Sequence, residues 1–487
     1  MRPNYLAYSF SYIIMYLGMI LLVPVAFALV CQDFEDVYPF LIPSVCAFML
    51  SFMIKKMLTS MADIKNLNDI KKSEGLLIVT STWVMGVIAA AIPFLFYGFS
   101  PIDAFFEGAS GITSTGATIL TSYDYSKTFF FWRAFTHWLG GMGIIVLVIA
   151  ILPQFAIAGR QMFFAEAPGP IEDKFTPRIK STAASLWKVY GGLTVLEIVL
   201  LKLGGMSLFD AVCHSLACVS GGGFSTSAHS LSAFSVPVMW ITIAFMFFAG
   251  MSFNLQYLAW SKLNPLVVFK NEEFRVYFKG ILIVATLLVC SLMVNMNYGL
   301  GEGVLHSAFN VTSAVSTTGF CSVDYNHWDF TSKALLFLVM FLGSCASSTG
   351  GGIKIVRWIL MFKVMKSELV KILHPKAVVD IKYKNNSVPK DVLYQILIFV
   401  GFYFGILAVS ALFVSLVEKN VAIGVTGAVS ALGNIGPGFS IIGPMSSFES
   451  LQTMSKGVLI FDMIAGRLEL IPILVMLRPD FWTFKKV

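Results

Sequence analysis

Charged residues are scarce in this sequence of 487 residues. They make up 13% of the chain, whereas soluble domains carry roughly 25%. Hydrophobic residues make up 57%, and the mean hydropathy is +0.79. A transmembrane helix needs about 20 mostly apolar residues, a length that several stretches meet. The composition therefore excludes an ordinary soluble domain and predicts an all-α membrane protein with many spans.

Motifs for metal, redox and nucleotide chemistry are missing as well. The seven cysteines include no CxxC pair, and the six histidines form no cluster with metal-ligand spacing. The chain has no P-loop and no dinucleotide-binding fingerprint, so any nucleotide must act through a partner. We expect neither enzyme activity nor an organic cofactor. The +7 net charge would suggest a nucleic-acid partner for a soluble protein, but in a membrane protein the placement of the basic residues matters more than their sum, and we expect no nucleic-acid partner.

One pattern is present four times. Each copy is a short segment of small and apolar residues that ends at a glycine, and the residue seven positions after its start is small. The copies cover 103–116, 210–223, 306–319 and 423–436, and the small residues are Ser110, Ala217, Ser313 and Ser430. The glycines are 107, 96 and 117 residues apart. Such repetition predicts four similar units, each about a quarter of the chain.

Apolar spans flank every copy of the pattern. We predict ten, at about 10–30, 39–57, 76–97, 129–152, 186–203, 236–259, 281–296, 334–361, 393–416 and 458–477. The first two form a hairpin with no copy. The predicted domains are an N-terminal hairpin with a basic loop (1–72) and four units of span, re-entrant motif and span (73–183, 184–278, 279–389 and 390–487).

Basic residues follow each unit, whereas few lie on the side of the repeated motifs. By the positive-inside rule, both termini and the loops between units are cytoplasmic. The segment 165–179 is rich in proline and charge, which predicts an ordered loop. The basic segments 160–180 and 363–390 either dock a cytoplasmic partner or contact anionic lipid.

The repeated glycines suit a cation pathway. Irregular backbone at membrane depth is tolerated only where it is buried in protein or lines a watery cavity. Backbone carbonyls can replace the hydration shell of a cation, and glycine permits the backbone conformations that this needs. The predicted K+ filter consists of Ser114, Thr115, Gly116, Gly222, Gly223, Thr317, Thr318, Gly319, Asn434, Ile435 and Gly436. Glu107 is the only acid at its position among the four copies, and it is either a packing group or an ion ligand.

A glycine- and serine-rich run interrupts the predicted span 334–361 and indicates a gate. It comprises Gly343, Ser344, Cys345, Ala346, Ser347, Ser348, Thr349, Gly350, Gly351 and Gly352. The alternative is a helix kink with close packing. Arg467, within the last span, is a further candidate because a charge inside the membrane is costly; its alternative is a structural pair with Glu469 or Asp462. We expect Lys354, at the end of the run, to reach the membrane interface.

Arg133 and His137 lie four positions apart and so share one helix face. A proton relay and packing at the membrane interface are the two interpretations.

Together these motifs resemble the Trk/Ktr/HKT potassium transporters, most closely the TrkH branch. The similar segments include SGITSTGAT, RAFTHWLGGMGI, AEAPGPIEDKFTPRI, STTGF, SCASSTGGGIK, NIGPGF and GRLE, in order along nearly the whole chain. The resemblance implies four helix–pore-loop–helix units in a pseudo-fourfold arrangement, with an extra N-terminal helix pair. It also implies filter glycines that favour K+, a loop below the filter that restricts passage (343–354), and an arginine beside the path.

The function implied is that of a K+-translocating uptake subunit in the bacterial inner membrane. The resemblance also implies a homodimer and a cytosolic nucleotide-binding regulatory ring of the TrkA or KtrA type. The alternative is a secondary transporter that couples K+ to H+ or Na+. Such proteins usually use midplane carboxylates, and intramembrane acids are few in this sequence.

Overall fold

The computed structural model describes residues 1–59, 72–143, 179–377, 379–384 and 386–482. Within them the chain is mostly helical. The α-helices are α1 (Pro3–Cys31), α2 (Val37–Thr59), α3 (Lys72–Phe96), α4 (Pro101–Ile112), α5 (Lys127–Gly141), α6 (Ile179–Leu203), α7 (Leu208–Val219), α8 (Val236–Gly250), α9 (Phe253–Ser261), α10 (Leu266–Phe269), α11 (Glu272–Met296), α12 (Leu300–Val315), α13 (Phe330–Val339), α14 (Ile355–Leu373), α15 (Lys390–Glu418), α16 (Val421–Gly433), α17 (Thr453–Arg467) and α18 (Ile471–Met476). Strands β1 (Lys382–Tyr383) and β2 (Asn386–Ser387) form a small antiparallel hairpin.

Long apolar helices account for much of the chain. In the described ranges, five helices are long and apolar enough to cross a membrane: α1, α2, α3, α11 and α15. Helices α8 and α9 would count as a sixth span if taken together, although they meet at an angle of 101°. Every predicted span contains helix. The span predicted at 129–152 is described as far as residue 143, and the loop predicted at 165–179 lies outside the described residues except for its last residue.

Four short helices, α4, α7, α12 and α16, correspond to the repeated motif. They contain 12, 12, 16 and 13 residues, too few to cross a bilayer. Three begin at a residue whose side chain accepts a hydrogen bond from a backbone amide of the first turn, as is typical of N-caps. These caps are Ser100, Ser207 and Asn420. Most side chains of the short helices are buried, so the long helices surround them.

Close helix packing explains several glycines of the repeats. A side chain at Gly108 of α4 would lie 2.7 Å from the backbone nitrogen of Ala91 in α3. The N-terminal pair packs in the same way, where the hydroxyl of Ser44 in α2 donates to the carbonyl of Gly18 in α1 at 2.8 Å. The short helices are therefore held at fixed depth against their neighbours.

The predicted gate segment is irregular. Helix α13 ends at Val339 and α14 begins at Ile355, and the chain between them is non-helical. Its ends are joined by backbone hydrogen bonds, from Gly343 to the carbonyl of Ile353 at 3.1 Å and from Ile355 to the carbonyl of Ser344 at 3.1 Å. Residues 343–354, termed the inner loop below, therefore form a closed loop rather than a kinked helix.

Candidate functional site

Each short helix ends in the same capped turn. The residue just before the repeated glycine donates its backbone N–H to the carbonyl of the small residue five positions earlier, which closes the C-terminus of the helix. The four bonds are Thr115 to Ser110 at 2.9 Å, Gly222 to Ala217 at 2.8 Å, Thr318 to Ser313 at 2.9 Å and Ile435 to Ser430 at 2.9 Å. The small residues singled out in the sequence are therefore the acceptors of these turns.

Two positions in every turn have left-handed backbone. The repeated glycines have φ of 86°, 88°, 81° and 111° at Gly116, Gly223, Gly319 and Gly436. Two positions earlier, φ is 54° at Ser114, 70° at Gly221, 55° at Thr317 and 52° at Asn434. Residues with a side chain rarely adopt such values, so three of the four loops hold a strained residue in place. The four turns thus share one backbone path.

The four glycines contact one another in cyclic order. A side chain on Gly116 would overlap the carbonyl oxygen of Gly222, and one on Gly223 would overlap that of Thr318. The third loop meets the fourth in the same way, because a side chain on Gly319 would overlap the carbonyl of Ile435.

The last contact closes the ring. A side chain on Gly436 would lie 2.8 Å from the carbonyl oxygen of Thr115, in the first loop. Each glycine therefore packs against the carbonyl that precedes the next glycine, and no larger residue fits at these four positions without a shift of backbone. We call these four turns the glycine ring.

A small cavity opens beside the glycine ring. Its volume is about 40 Å³, and its lining includes Gly116, Gly223 and Gly319 together with Pro437 of the fourth loop. Polar groups of Thr118 and Ser225, among others, also face it. A polar space of this size can hold water.

The inner loop lies against the opposite ends of the same turns. The amide of Gly351 donates to the hydroxyl of Thr317 at 2.7 Å, and the hydroxyl of Thr349 donates to the carbonyl of Val219 at 3.1 Å. A side chain on Gly351 would lie 2.5 Å from the carbonyl of Gly433, in the fourth unit. The loop thus touches the second, third and fourth turns directly.

Arg467 connects the inner loop to the first unit. Its guanidinium donates to the carbonyl of Thr349 at 2.7 Å, and to those of Gly140 and Gly141, at the end of α5, at 2.5 and 3.0 Å. Glu469 forms an ion pair with Arg357. Arg467, which the sequence analysis names as a candidate gate residue, therefore lies against the inner loop.

The prediction that Lys354 reaches the membrane interface is wrong. The residue is 8% exposed, and its ammonium donates to the carbonyl of Gly350 and to the hydroxyl of Ser344. It therefore fills the interior of the inner loop, because the loop's own carbonyls provide closer acceptors than the interface does.

Arg133 and His137 lie on one face of α5, as their spacing predicts. Both are buried, and each packs against the ring of Phe224, which follows Gly223. Glu107 forms an ion pair with Arg133 and accepts a hydrogen bond from the amide of Ile119.

Two contributors to the site lacked a clear signal in the sequence. Gly221 takes the left-handed position of the second loop, and the run of three glycines could have indicated it. Glu273 of α11 accepts a hydrogen bond from the amide of Ala346 in the inner loop at 2.7 Å. No local sequence pattern predicts that hydrogen bond, because the two residues are 73 positions apart.

Comparison with known proteins gives one consistent family. The family model TrkH, described as a cation transport protein, matches residues 44–483. The Trk system potassium uptake protein TrkH of Escherichia coli K12 is 35% identical over 427 residues, covering 86% of this chain and 88% of that protein. TrkG of the same strain, also named a Trk system potassium uptake protein, is 31% identical over 427 residues, with 85% and 86% covered.

A solved structure is similar over its full length. The crystal structure of the potassium transporter TrkH from Vibrio parahaemolyticus has a TM-score of 0.87 and 30% sequence identity, and the match covers 99% of this chain and 100% of that one. The sequence, the arrangement of helices and the repeated turns therefore agree, and the chain belongs to the TrkH family of cation transport proteins.

Proposed function

We propose that this chain is the K+-translocating subunit of a Trk-type uptake system in a bacterial inner membrane. The observation that carries the proposal is the closed cyclic contact of Gly116, Gly223, Gly319 and Gly436, each against the carbonyl of the next loop. A ring of carbonyls with no acidic side chain suits a weakly hydrated monovalent cation. The relatives named as potassium uptake proteins support K+ as the ion.

The ring implies a particular architecture. The four units, 73–183, 184–278, 279–389 and 390–487, surround one axis with pseudo-fourfold symmetry, and the hairpin 1–72 packs outside. The filter comprises Ser114, Thr115, Gly116, Gly222, Gly223, Thr317, Thr318, Gly319, Asn434, Ile435 and Gly436. The C-terminal ends of α4, α7, α12 and α16 are directed toward the axis, where their dipoles favour a cation. The cavity of about 40 Å³ is the outer approach to the filter.

The inner loop is the gate of this path. It contacts the second, third and fourth turns directly, and Arg467 connects it to the first unit. Two fixed cations, Lys354 and Arg467, lie in or against it and raise the electrostatic barrier to another cation. Passage of K+ therefore requires the loop 343–354 to move.

The orientation and partners of the chain follow from its basic segments and its family. Both termini are cytoplasmic, so the inner loop faces the cytoplasm. The subunit pairs with a second copy, and a cytosolic nucleotide-binding ring of the TrkA or KtrA type acts on the gate.

The direct test is 86Rb+ and 22Na+ uptake into liposomes that contain the purified chain. Gly116→Ser is compared with Gly98→Ser, a matched control. Both glycines have φ of 86°, but a side chain on Gly98 would meet nothing within 4 Å. We expect Rb+-selective uptake that loses selectivity in Gly116→Ser and keeps it in Gly98→Ser. Equal selectivity in the two variants would contradict the filter. A folded variant that lacks residues 343–352 and passes no cation would contradict the pore.

A coupled mode is the second candidate, favoured by two buried acids within the predicted spans 186–203 and 458–477. Glu197 of α6 and Asp462 of α17 are 0% exposed, and neither forms an ion pair within the described part of the chain. An acid buried in this way is a candidate proton site. If K+ moved with H+, the reversal potential would shift with a pH gradient, whereas simple permeation leaves it at the K+ potential.

A further inference from the structure

A buried polar network adjoins the first two turns of the glycine ring, and three of its residues, Thr118, Arg133 and Ser225, also line the small cavity beside the ring. Glu107 of α4 and Arg133 of α5 form an ion pair, with 2.7 Å between Oε1 and Nε, and their side chains are 0% and 1% exposed. The guanidinium also donates from Nη2 to the hydroxyl of Thr118 at 3.0 Å and from Nη1 to the carbonyl of Ser225 at 3.1 Å. One side chain therefore contacts two successive units.

The two further contacts occupy equivalent places in the repeats. Thr118 lies two positions after Gly116, and Ser225 lies two positions after Gly223. The guanidinium carbon is also 4.0 Å from the centre of the Phe224 ring, so the second loop is held by a hydrogen bond and a cation–π contact. A planar group with fixed donor directions thus sets the distance between the two loops.

Glu107 completes the network on the side of the first loop. Its carboxylate accepts hydrogen bonds from the amide of Ile119 at 3.0 Å and from the hydroxyl of Thr118 at 3.1 Å. In the second loop, the hydroxyl of Ser225 is bonded to Nε2 of His214 at 2.9 Å. The network therefore runs from α4 to α7 through both loops.

The residues that match Glu107 in the other three units are not acids. The positions that match Glu107 hold His214, Asn310 and Gly427. His214 and Asn310 are bonded to Ser225 and Ser322 of their own loops, at 2.9 and 3.0 Å. Among these four positions in the described chain, only Glu107 contacts a cation that reaches the following loop.

We propose that the Glu107–Arg133 pair is a positioning device for cation selectivity, which holds the first and second turns of the glycine ring at a fixed separation. This inference rests on the proposed function of the ring. A buried ion pair adds little net stability, because the cost of desolvation offsets the attraction between the charges. Its distinct contribution is geometric, and a carbonyl filter discriminates between ions by geometry and by the number of ligands.

The experiment measures the K+ to Na+ permeability ratio, from reversal potentials of the full chain in planar bilayers. Arg133→Lys is the main variant, because it keeps a positive charge beside Glu107 but loses the planar fork that reaches Ser225. Glu107→Gln is the second variant. Asp103→Asn is the matched control, because Asp103 is also on α4 and pairs with Lys456 of another unit at 2.6 Å, but at the start of the helix.

We expect the permeability ratio to fall by about tenfold in Arg133→Lys and Glu107→Gln, which corresponds to a loss of about 1.4 kcal/mol in discrimination between the two ions. The ratio in Asp103→Asn stays at the wild-type value. A wild-type ratio in Arg133→Lys, whatever its melting temperature, would overturn the inference and leave the pair a structural one. If Glu107→Gln fails to fold, the permeability ratio of Arg133→Lys alone tests the inference.

Gly116→Ser, measured in parallel, separates this inference from the function on which it rests. If Gly116→Ser changes the ratio and Arg133→Lys does not, only the positioning role fails. If neither variant changes it, the glycine ring is not the filter, and the proposed function fails with the inference.

Discussion

The hydroxyl of Thr317 accepts a hydrogen bond from the backbone amide of Gly351 at 2.7 Å, so a residue of the glycine ring directly holds the inner loop. Thr317 also has a left-handed backbone, with φ of 55°. The predicted filter and gate are therefore in contact, and the same side chain belongs to both.

Replacement of Thr317 by Val removes this hydrogen bond and keeps the shape of the side chain. One hydrogen bond contributes about 1 kcal/mol, which corresponds to a shift of about fivefold in an equilibrium constant. We expect basal Rb+ uptake to rise by about this factor, because the closed position of the loop loses one contact. Thr286→Val is the control, since the Thr286 hydroxyl donates to the carbonyl of Leu282 in its own helix, α11. Equal uptake in the two variants would show that the bond does not restrain the loop.

Arg467→Gln should have a larger effect on uptake. Three carbonyls lose a charged donor, and hydrogen bonds of this type contribute about 1.5–3 kcal/mol each. We expect basal uptake to increase more than tenfold, because the loop loses these three contacts. Uptake at the wild-type level would contradict the assignment of the loop as the gate. Arg478→Gln, at an exposed arginine paired with Asp480, is the control.

Glu273 and Glu272 are adjacent in the chain, but only the first contacts the inner loop in the described structure. Glu273 accepts the amide of Ala346 in the inner loop, whereas Glu272 pairs with Lys363 of α14 at 2.7 Å at a partly exposed position. Glu273→Ala leaves the partly buried amide of Ala346 without this acceptor. We therefore expect increased basal uptake in Glu273→Ala and wild-type uptake in Glu272→Ala. The rate of protease cleavage near the inner loop is an independent measurement of its mobility. The same cleavage rate in both variants would contradict the prediction.

Two glycine substitutions should change stability in opposite directions. Gly108→Ala forces a methyl group to within 2.7 Å of the backbone of Ala91, and overpacking of this kind costs about 1–3 kcal/mol. Gly191→Ala, within α6, meets nothing within 4 Å, and alanine favours a helix by about 1 kcal/mol. We expect a lower melting temperature in detergent for the first and an equal or higher one for the second. A reversed order would show that α3 and α4 are not closely packed.

The sequence predicts the repeated turns because their determinants are local. The carbonyl of Ser110, like those of its three counterparts, accepts a hydrogen bond from the backbone amide five positions later. Glycine is needed at the end of each turn because φ is positive there and the next loop is close. The inner loop is predictable for the same reason, since ten consecutive small residues from Gly343 to Gly352 cannot continue a membrane helix.

The supporting contacts could not be predicted, because they join residues that are far apart in the chain. Arg133 reaches Ser225 across 92 positions, and Arg467 reaches Gly140 across 327. The burial of Lys354 also depends on how the inner loop folds back on itself. Such contacts follow from how the units pack together, which the periodicity of one span does not specify.

The residues that pack behind the four turns differ from one turn to the next, and this difference affects what a single mutation can change. In a ring made of four identical chains, one codon change alters every side of the opening at once. Here each side has its own codons, and the positions behind it already differ, with Glu107, His214, Asn310 and Gly427 in turn. If the ring is the filter, as we propose, one side of it can be altered while three are kept. Its ion preference can then change one unit at a time, which a symmetric tetramer does not allow.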